Sequence, residues 1–506
     1  MRVRATCFLI LPLVLAISSF AAAEDGFMTV KDRRFLDHEG RHVILHGFDN
    51  AHTFEKMREW GMNCGRLLMN WSYIEPECGV YDENYLAEVD ARVAAAKANG
   101  VYIVLDMHQN LWGEGVPHGS GAPEWALLDK EQPHLSLGPV WGAAYFQSPR
   151  IQIAFDNFWA NKPGPDGVGI QDRFALVWQH VAKRYADEPA VIGFDIINEP
   201  FHGTPTMNAM VPMTMKIAQR MAARGVDIGS MELIQLGIAA RDEARKDIES
   251  YREWLVAGDE VIKQLDRTQL CPMYNRVAKA IRQVDRRHII FTEPSVMAGF
   301  GSATGIEPVM DENGNRDPLY AFAPHAYEDD VDRMELVMER LLEAATRMEV
   351  PMLLGEWGNL GNEDKIFSED PLPSGRVTLR MVEESLLGES YHCFRTKVDQ
   401  TRYFKEIVLR PYPAAVAGVI GRYRFNRSTA VFECVWKENP VVTAPSRIFL
   451  PAPWFPDGYK VELEPRGEGW SFEPTVAESA SVYLVIPPTG SEVERRLEVR
   501  PSQPGQ

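Results

Sequence analysis

The 506-residue sequence is poor in cysteine and has no motif that would use cysteine for a metal site. Its six cysteines form no Cys-x-x-Cys pair and no cysteine–histidine metal spacing. Cys7 lies in an N-terminal apolar segment, which leaves an odd number in the rest of the chain. A Cys64–Cys78 disulfide is conceivable, but Cys64 and Cys393 lie in strand-like segments, where buried free thiols are more common. We therefore predict neither a metal site nor a disulfide framework.

Positive charge is also in deficit, because 53 lysines and arginines face 71 aspartates and glutamates, a net charge of −18. This balance argues against a general attraction to nucleic acid or to anionic membranes. Solubility is the simplest consequence of the acidity. With 45% hydrophobic and 10% aromatic residues the chain has material for a large core, and its length allows two domains.

Long apolar runs are absent from the sequence except at its beginning. Residues 1–23 start with Arg2 and Arg4, continue in the apolar run CFLILPLVLAI and end in three alanines. This is the pattern of a secretory signal peptide. The run is short for a membrane span, and no second apolar stretch of about 18 residues follows. We expect a secreted protein, extracellular or periplasmic.

Apolar strands alternate with polar loops and helices along residues 24–412. Helices are predicted at 84–99 and 331–348, and a hairpin turning at Asp37–Gly40 precedes the first strand. Eight strand–helix units joined by right-handed crossovers predict an α/β fold, a closed (β/α)8 barrel with a parallel sheet. The predicted strands are 42–50, 62–71, 101–109, 191–200, 287–294, 320–327 and 351–358, with an eighth after Ser385.

Two connections of the predicted barrel are longer than the fold requires. Residues 109–170 are rich in glycine, proline and tryptophan and are typical of an elaborate loop at the barrel face, and such long loops are usually functional. Residues 201–285 form a helical insertion with a methionine-rich start. Methionines suit either a core that repacks or a surface that receives an irregular apolar partner, and a core is the more common outcome. These methionines are Met207, Met210, Met213, Met215 and Met221.

The pattern changes near residue 413 to short alternating strands separated by proline and glycine. It predicts an antiparallel β-sandwich domain over 413–490 and a flexible tail over 491–506. A structural domain that covers the barrel is a more common outcome than a carbohydrate- or lipid-binding module.

Two predicted strands end in glutamate. VIGFDIINEP ends at Asn198, Glu199 and Pro200, and PMLLGEWG contains Glu356. The carboxyl ends of parallel strands meet at one face of a barrel, so we expect Glu199 and Glu356 to face each other. Hydrolysis of a glycosidic bond needs one carboxyl group to protonate the leaving oxygen and a second to attack or stabilise the anomeric carbon. The pair therefore predicts a glycosidase.

Other polar residues lie at successive strand ends. A cation there can lower the pKa of a nucleophilic carboxylate, and neutral groups can bond sugar hydroxyls or the glutamates. Each residue alone has an ordinary explanation, such as a structural ion pair or a satisfied core histidine. Their joint position favours a substrate-binding role. These residues are Arg66, His108, Asn198, His325 and Tyr327.

In this order the site residues resemble the retaining glycoside hydrolases of family 5, whose barrels carry the acid/base after the fourth strand and the nucleophile after the seventh. The resemblance covers about residues 30–425. Within the family, the chain is similar to endoglycoceramidases and their glucosylceramidase-like relatives, which cut the β-glucosidic link between sugar and ceramide. The similar segments are DMHQN (106–110), INEPF (197–201), APHAY (323–327), LLGEWG (353–358) and RPYPAAVAG (410–418).

The resemblance implies a role for each residue. Glu199 is the acid/base and Glu356 the nucleophile, and Tyr327 is bonded to Glu356. Asn198 binds the sugar 2-hydroxyl. It implies no cofactor, a glycolipid or other β-glycoside as substrate, and transient contact with lipid or a membrane surface; the net charge argues against nucleic acid as a partner. Arg66 and His108 support the subsite of the sugar that is cleaved, the −1 subsite.

The sequence departs from the family pattern at the eighth strand. The family usually has a tryptophan there as the floor of the −1 subsite, but residues 389–397 contain none. Tyr391 is our first candidate for this role, and His392 and Phe394 are the others. Asn110 also stands where the relatives carry aspartate. Stacking surface could come from other aromatic side chains, for which core packing is an equal alternative: Trp71, Trp112 and Trp357.

These departures keep two alternatives open. One is a family 5 hydrolase of polysaccharides, steryl glucosides or other β-glucosides, which a long cleft with aromatic subsites would favour. The other is a catalytically silent glycolipid-binding protein.

Overall fold

The structure is a computed structural model and describes residues 26–137, 141–311, 313–358, 372–466 and 469–502. The predicted signal peptide at 1–23 lies outside these residues and stays a prediction. In chain order the strands are β1 (Thr29–Lys31), β2 (Arg34–Leu36), β3 (His42–Val43), β4 (His46–Asp49), β5 (Cys64–Asn70), β6 (Tyr102–His108), β7 (Val191–Asp195), β8 (Ile289–Thr292), β9 (Tyr320–Phe322), β10 (His325–Tyr327), β11 (Leu353–Gly358), β12 (Gly388–Tyr391), β13 (Tyr412–Val416), β14 (Gly418–Asn426), β15 (Val431–Glu438), β16 (Ser446–Leu450), β17 (Tyr459–Glu464), β18 (Ser471–Pro474), β19 (Val482–Ile486) and β20 (Glu494–Pro501).

The helices bear out both helix predictions to within one residue at each end. None of the helices in the described ranges is long and apolar enough to cross a membrane. The helices are α1 (Phe54–Glu59), α2 (Trp71–Ile74), α3 (Glu83–Ala98), α4 (Ala144–Gln147), α5 (Pro149–Trp159), α6 (Ile170–Tyr185), α7 (Met207–Ala223), α8 (Leu233–Ala244), α9 (Ile248–Leu265), α10 (Cys271–Arg282), α11 (Val331–Met348) and α12 (Leu372–Ser385).

The parallel sheet closes into the predicted (β/α)8 barrel. Its strand order is β10-β11-β12-β4-β5-β6-β7-β8-β9. β9 and β10 are two halves of one barrel strand, interrupted at Pro324, which has no N–H for the ladder. β9 pairs with β8 and β10 pairs with β11, while Phe322 also bridges to Met352 in parallel. This strand therefore closes the sheet between its fifth and seventh members.

The N-terminal hairpin packs beneath the barrel rather than being part of it. β1, β2 and β3 form one antiparallel sheet with strands of the C-terminal domain, in the order β1-β2-β3-β13-β16-β19-β18. The predicted turn at Asp37–Gly40 joins β2 to β3. Phe35 stacks on Phe291, with ring centroids 6.1 Å apart, in an apolar cluster that includes Val104, Ile289 and Leu353 from barrel strands. Apolar packing at this end leaves the opposite end for polar groups.

The C-terminal domain is antiparallel, as predicted, but it ends later in the chain than the predicted residue 490. A second sheet has the order β14-β15-β20-β17. β20 lies between two partner strands, and Leu497 and Val499 on it are buried. The prediction of a flexible tail over 491–506 is therefore wrong for residues 494–501. Alternating charged and apolar residues in RRLEVR carried the strand signal.

The five cysteines of the described residues are free thiols, so the Cys64–Cys78 disulfide does not form. Cys64 is buried in β5, and burial raises the pKa of its thiol to about 12. A thiol with so high a pKa is an inert packing group.

Candidate active site

A single guanidinium lies at the centre of the polar end of the barrel. Arg66 extends from β5 and its side chain is 1% exposed. Five carboxyl groups and one amide oxygen surround it, from residues near the ends of five barrel strands. Its nitrogen atoms lie 2.8–3.0 Å from oxygen atoms of Asp49, Asp106, Asp195, Asn198, Glu293 and Glu356.

Glu356 receives two hydrogen bonds that orient its carboxylate. It lies on β11, and its side chain is directed into the mouth of the barrel. Arg66 Nη1 donates to Oε1 (2.8 Å), and the hydroxyl of Tyr327 donates to Oε2 (2.7 Å). Burial and the negative charge of Glu356 raise the pKa of Tyr327 well above its ordinary value, so this phenol remains a donor. The predicted bond between Tyr327 and Glu356 is present, and the role of Glu356 as nucleophile stays a prediction.

Glu199 lies opposite, just after β7, and its carboxylate accepts a hydrogen bond from His325 Nδ1 (3.0 Å). Carboxylate oxygens of Glu199 and Glu356 lie within 4.8 Å of each other. Retaining glycosidases separate the two carboxyl groups by about 5–5.5 Å, whereas inverting enzymes need about 6.5–9.5 Å to admit a water molecule. The observed separation fits the retaining arrangement.

Glu199 and His325 form a proton-sharing pair. Burial raises the pKa of Glu199, but the bond to His325 and the charges of His108 and His392 outweigh this effect and leave the pKa below its ordinary value. Burial lowers the pKa of His325, but the charges of Glu293 and Glu356 outweigh it and hold that pKa well above the usual range. The two groups lie 3.0 Å apart, so a proton can pass directly between the imidazole of His325 and the carboxyl group of Glu199.

His108 is fixed by polar groups on both ring nitrogens. Its Nδ1 lies 2.9 Å from Asp106 Oδ2, and its Nε2 lies 3.1 Å from the amide nitrogen of Asn110. Burial lowers the pKa of His108, and the bond to Asp106 outweighs this effect and raises it. Asn110, which departs from the residue in the relatives, therefore contacts the imidazole of His108 and helps to fix it.

The prediction that Tyr391 forms the floor of the sugar site is wrong. Its side chain is 2% exposed and packs among Phe48, Trp357 and Tyr403 on the outside of the barrel strands. The next residue, His392, faces the site instead. A shift of one residue along a strand moves a side chain to the opposite face.

His392 follows β12 and contacts two carboxyl groups of the site. Its Nδ1 lies 2.8 Å from Asp49 Oδ2 and 3.6 Å from Glu356 Oε2, and its ring meets Tyr327 edge-on at 5.9 Å. One third of the side chain is exposed. Burial lowers its pKa, but Glu356 and Asp49 outweigh this effect and raise it well above the ordinary value. The imidazole of His392 therefore borders the carboxyl group of Glu356.

The tryptophans considered as stacking surfaces are core residues. Trp71, Trp112 and Trp357 are each at most 3% exposed. The indole N–H groups of Trp71 and Trp357 donate to Glu75 and Glu389.

Sequence reasoning missed four acids of the site. All four lie at or next to the ends of barrel strands, the same signal that identified Glu199, and FTEP at residues 291–294 even repeats the Glu-Pro ending of Asn-Glu-Pro. Burial and the charge of Glu293 raise the pKa of Asp195 well above its ordinary value. The missed acids are Asp49, Asp106, Asp195 and Glu293.

A (β/α)8 barrel with two such carboxyl groups at its polar end defines a glycosidase. The comparisons with known proteins agree. The chain belongs to glycosyl hydrolase family 5: the family described as cellulase (glycosyl hydrolase family 5) matches residues 37–372, and the glycoside hydrolase family 5 C-terminal domain matches residues 410–499.

Individual relatives extend the comparison. The chain is 27% identical to an endoglycoceramidase of Cyanea nozakii, over 81% of this chain and 77% of that protein. It is 29% identical to a glucosylceramidase of Aspergillus fumigatus, over 35% of this chain and 27% of that protein. The solved structure of endo-glycoceramidase II from Rhodococcus sp. in complex with ganglioside GM3 has a TM-score of 0.66 and 23% identity, covering 94% and 100% of the two chains. At this identity the structural match supports the fold alone.

The assignment of His392 rather than Tyr391 to the sugar site makes a prediction. Tyr391→Phe should change kcat/KM on an aryl β-glucoside by less than about twofold, because the ring still packs in the core. His392→Phe should lower it by about tenfold or more, the equivalent of ~1.4 kcal/mol of transition-state stabilisation, because Asp49 loses its contact with the imidazole and Glu356 loses a polar neighbour. Steady-state kinetics on the two purified variants provides the measurement. Loss of activity in Tyr391→Phe with full activity in His392→Phe would contradict the assignment.

Proposed function

We propose that the protein hydrolyses the β-glycosidic bond between a sugar or oligosaccharide and a lipid aglycone, with glycosphingolipids as substrates. The observation that carries the proposal is the facing pair Glu199 and Glu356 within 4.8 Å. The lipid aglycone is supported by relatives named endoglycoceramidase, one of which matches over most of both chains. Exposed apolar side chains on the helices that follow Glu199 in the chain support the same conclusion.

The residues perform the reaction in two steps. Glu356 attacks the anomeric carbon while Glu199 passes its proton to the glycosidic oxygen, which leaves with ceramide. The sugar is then covalently bound to Glu356. Glu199, now a carboxylate, takes a proton from water as this water attacks the anomeric carbon and releases the sugar. Arg66 and Tyr327 stabilise the carboxylate of Glu356 when it leaves the sugar.

The helical insertion provides the exposed apolar surface, which we call the insertion surface. It belongs to α7 and α8, and α7 begins at Met207, eight residues after Glu199. The two helices contact each other at Thr214 of α7 and Gly237 of α8: a Cβ atom added to Gly237 would lie 3.8 Å from Thr214 Oγ1. The side chains of the surface are each 40–60% exposed: Val211, Met215, Leu233, Ile234 and Ile238.

The methionines of the insertion divide between core and surface. Met213 and Met221 are buried, and a Cβ atom on Gly258 of α9 would lie 2.6 Å from Met213 Sδ, so Met213 packs tightly between helices. Met215 is 40% exposed and belongs to the insertion surface. We therefore assign contact with lipid to the insertion surface. The net charge of −18 favours apolar contact with uncharged lipid over attraction to anionic headgroups.

The substrate class is tested by incubating the protein with lactosylceramide, glucosylceramide, cholesteryl β-glucoside and soluble cello-oligosaccharides. We expect release of ceramide from at least one of the first two. Glu356→Gln should reduce this release on the order of 10³-fold or more, because no covalent intermediate forms. Chromatography of the products identifies the bond that is cut. Cleavage of only cholesteryl β-glucoside or cello-oligosaccharides would show that glycosphingolipids are not the substrate class. Binding without cleavage would favour a silent glycolipid-binding protein.

The insertion surface is tested with the double variant Val211→Ser/Met215→Ser. Cleavage of glucosylceramide in phosphatidylcholine vesicles should fall about tenfold or more, because each side chain contributes roughly 1 kcal/mol or more when it enters an apolar phase. Cleavage of a soluble aryl β-glucoside should be unchanged. The matched control is Val441→Ser, which changes a 62% exposed side chain in the C-terminal domain and should affect neither substrate. Equal loss on both substrates in the double variant would reject the role of the surface.

A further inference from the structure

The backbone of the acid/base residue has a conformation that a glutamate rarely adopts. Glu199 has φ of +40°, in the left-handed region, between Asn198 and Pro200. Such a conformation persists only where the surrounding structure holds it, and it occurs most often at functional sites. In Glu199 it sets the direction in which the carboxyl group leaves the backbone.

Two buried side chains hold the backbone of Glu199 from opposite sides. The Nε2 group of Gln109 donates hydrogen bonds to the carbonyl oxygens of both Asn198 and Glu199, each at 2.9 Å. The carboxylate of Glu293 accepts a hydrogen bond from the backbone N–H of Glu199 at 2.8 Å. Gln109 is 4% exposed and Glu293 is 1% exposed, so neither presents its polar atoms to solvent.

The long loop after β6 holds Gln109 in turn. The backbone N–H of Trp112 donates to Gln109 Oε1 at 2.9 Å, and the hydroxyl of Tyr145 lies 3.2 Å from Gln109 Nε2. That hydroxyl also accepts a hydrogen bond from the backbone N–H of Leu111 at 2.9 Å. Gly121 closes over the glutamine, because a Cβ atom at this position would lie 2.5 Å from Gln109 Cβ.

We propose that Gln109 is a positioning residue for the acid/base carboxyl group of Glu199, and that the loop after β6 serves to fix this glutamine. Gln109 does not touch the sugar, since its amide group is occupied by backbone carbonyls and by the loop. It acts by aiming Glu199 at the glycosidic oxygen. The proposal deepens the hydrolytic function proposed above and rests on it.

A residue that positions the acid can be distinguished from one that only supports the fold. Loss of the first kind of residue lowers kcat/KM by a factor that depends on the leaving group, whereas loss of the second kind lowers it equally for all substrates. A poor leaving group such as an alkoxide needs the proton of Glu199, whereas 2,4-dinitrophenolate leaves without it. The ratio kcat/KM reports the first step, in which the glycosidic bond breaks. Loss of positioning should therefore lower kcat/KM for alkyl β-glucosides selectively.

The test uses Gln109→Met, which keeps the length of the side chain and removes its amide group. We expect kcat/KM to fall on the order of 10²-fold for an alkyl β-glucoside and by less than about threefold for 2,4-dinitrophenyl β-glucoside. The matched control is Gln171→Met. Gln171 is also buried and donates to the carbonyl oxygens of Phe158 and Trp159, but it lies on α6. This control should change both substrates by the same small factor.

A second variant covers the case in which Gln109→Met fails to fold. Tyr145→Phe removes only the hydroxyl that contacts Gln109 and Leu111, and it should show the same selective loss to a smaller extent. Equal losses on the two substrates in whichever variants fold would overturn the proposal and leave Gln109 a purely structural residue. Failure of the wild-type protein to cleave any β-glycoside would instead reject the hydrolytic function itself.

Discussion

The active site depends on the contacts between the guanidinium of Arg66 and the carboxyl groups around it. Burial alone would lower its pKa, but the carboxylates of Asp106, Asp195 and Asp49 outweigh this effect and raise it well above the ordinary value. A buried cation of this kind is costly unless its neighbours satisfy it, and its removal would leave several carboxylates unpaired. Arg66 therefore permits many acids to converge at one end of the barrel.

One cation faces several acids in this site, and two histidines lie among them. Burial raises the pKa values of Asp195 and Glu293, whereas nearby carboxyl groups raise the pKa values of His325 and His392. The arrangement separates the two catalytic carboxyl groups by role. Glu356 is bonded to permanent donors, and Glu199 is bonded to a histidine that can exchange a proton with it.

The fold keeps this polar cluster away from the apolar end of the barrel. The N-terminal hairpin and the C-terminal sheet pack together beneath the strands, where Phe35 and Phe291 are in contact. The loop after β6 and the helical insertion after β7 both lie next to Glu199 in the chain. The first provides the contacts of Gln109, and the second provides the exposed apolar side chains.

Much of this arrangement could be predicted from the sequence, because it depends on local pattern. Apolar strands that end in acids predicted the barrel and placed Glu199 and Glu356 at its mouth. The sequence could not predict which side chain of the eighth strand faces the site, because a shift of one residue decides between Tyr391 and His392. It also could not predict which side chains face the core on α7, where Met213 is buried and Met215 is exposed, since only packing against α9 distinguishes them.

The most direct measurement of the central claim is the configuration of the first sugar released. Proton NMR during cleavage of an aryl β-glucoside records the anomeric signal before mutarotation. Two carboxylates within 4.8 Å predict a double displacement through a sugar bound to Glu356, so the β-anomer should appear first. Initial release of the α-anomer would contradict the account.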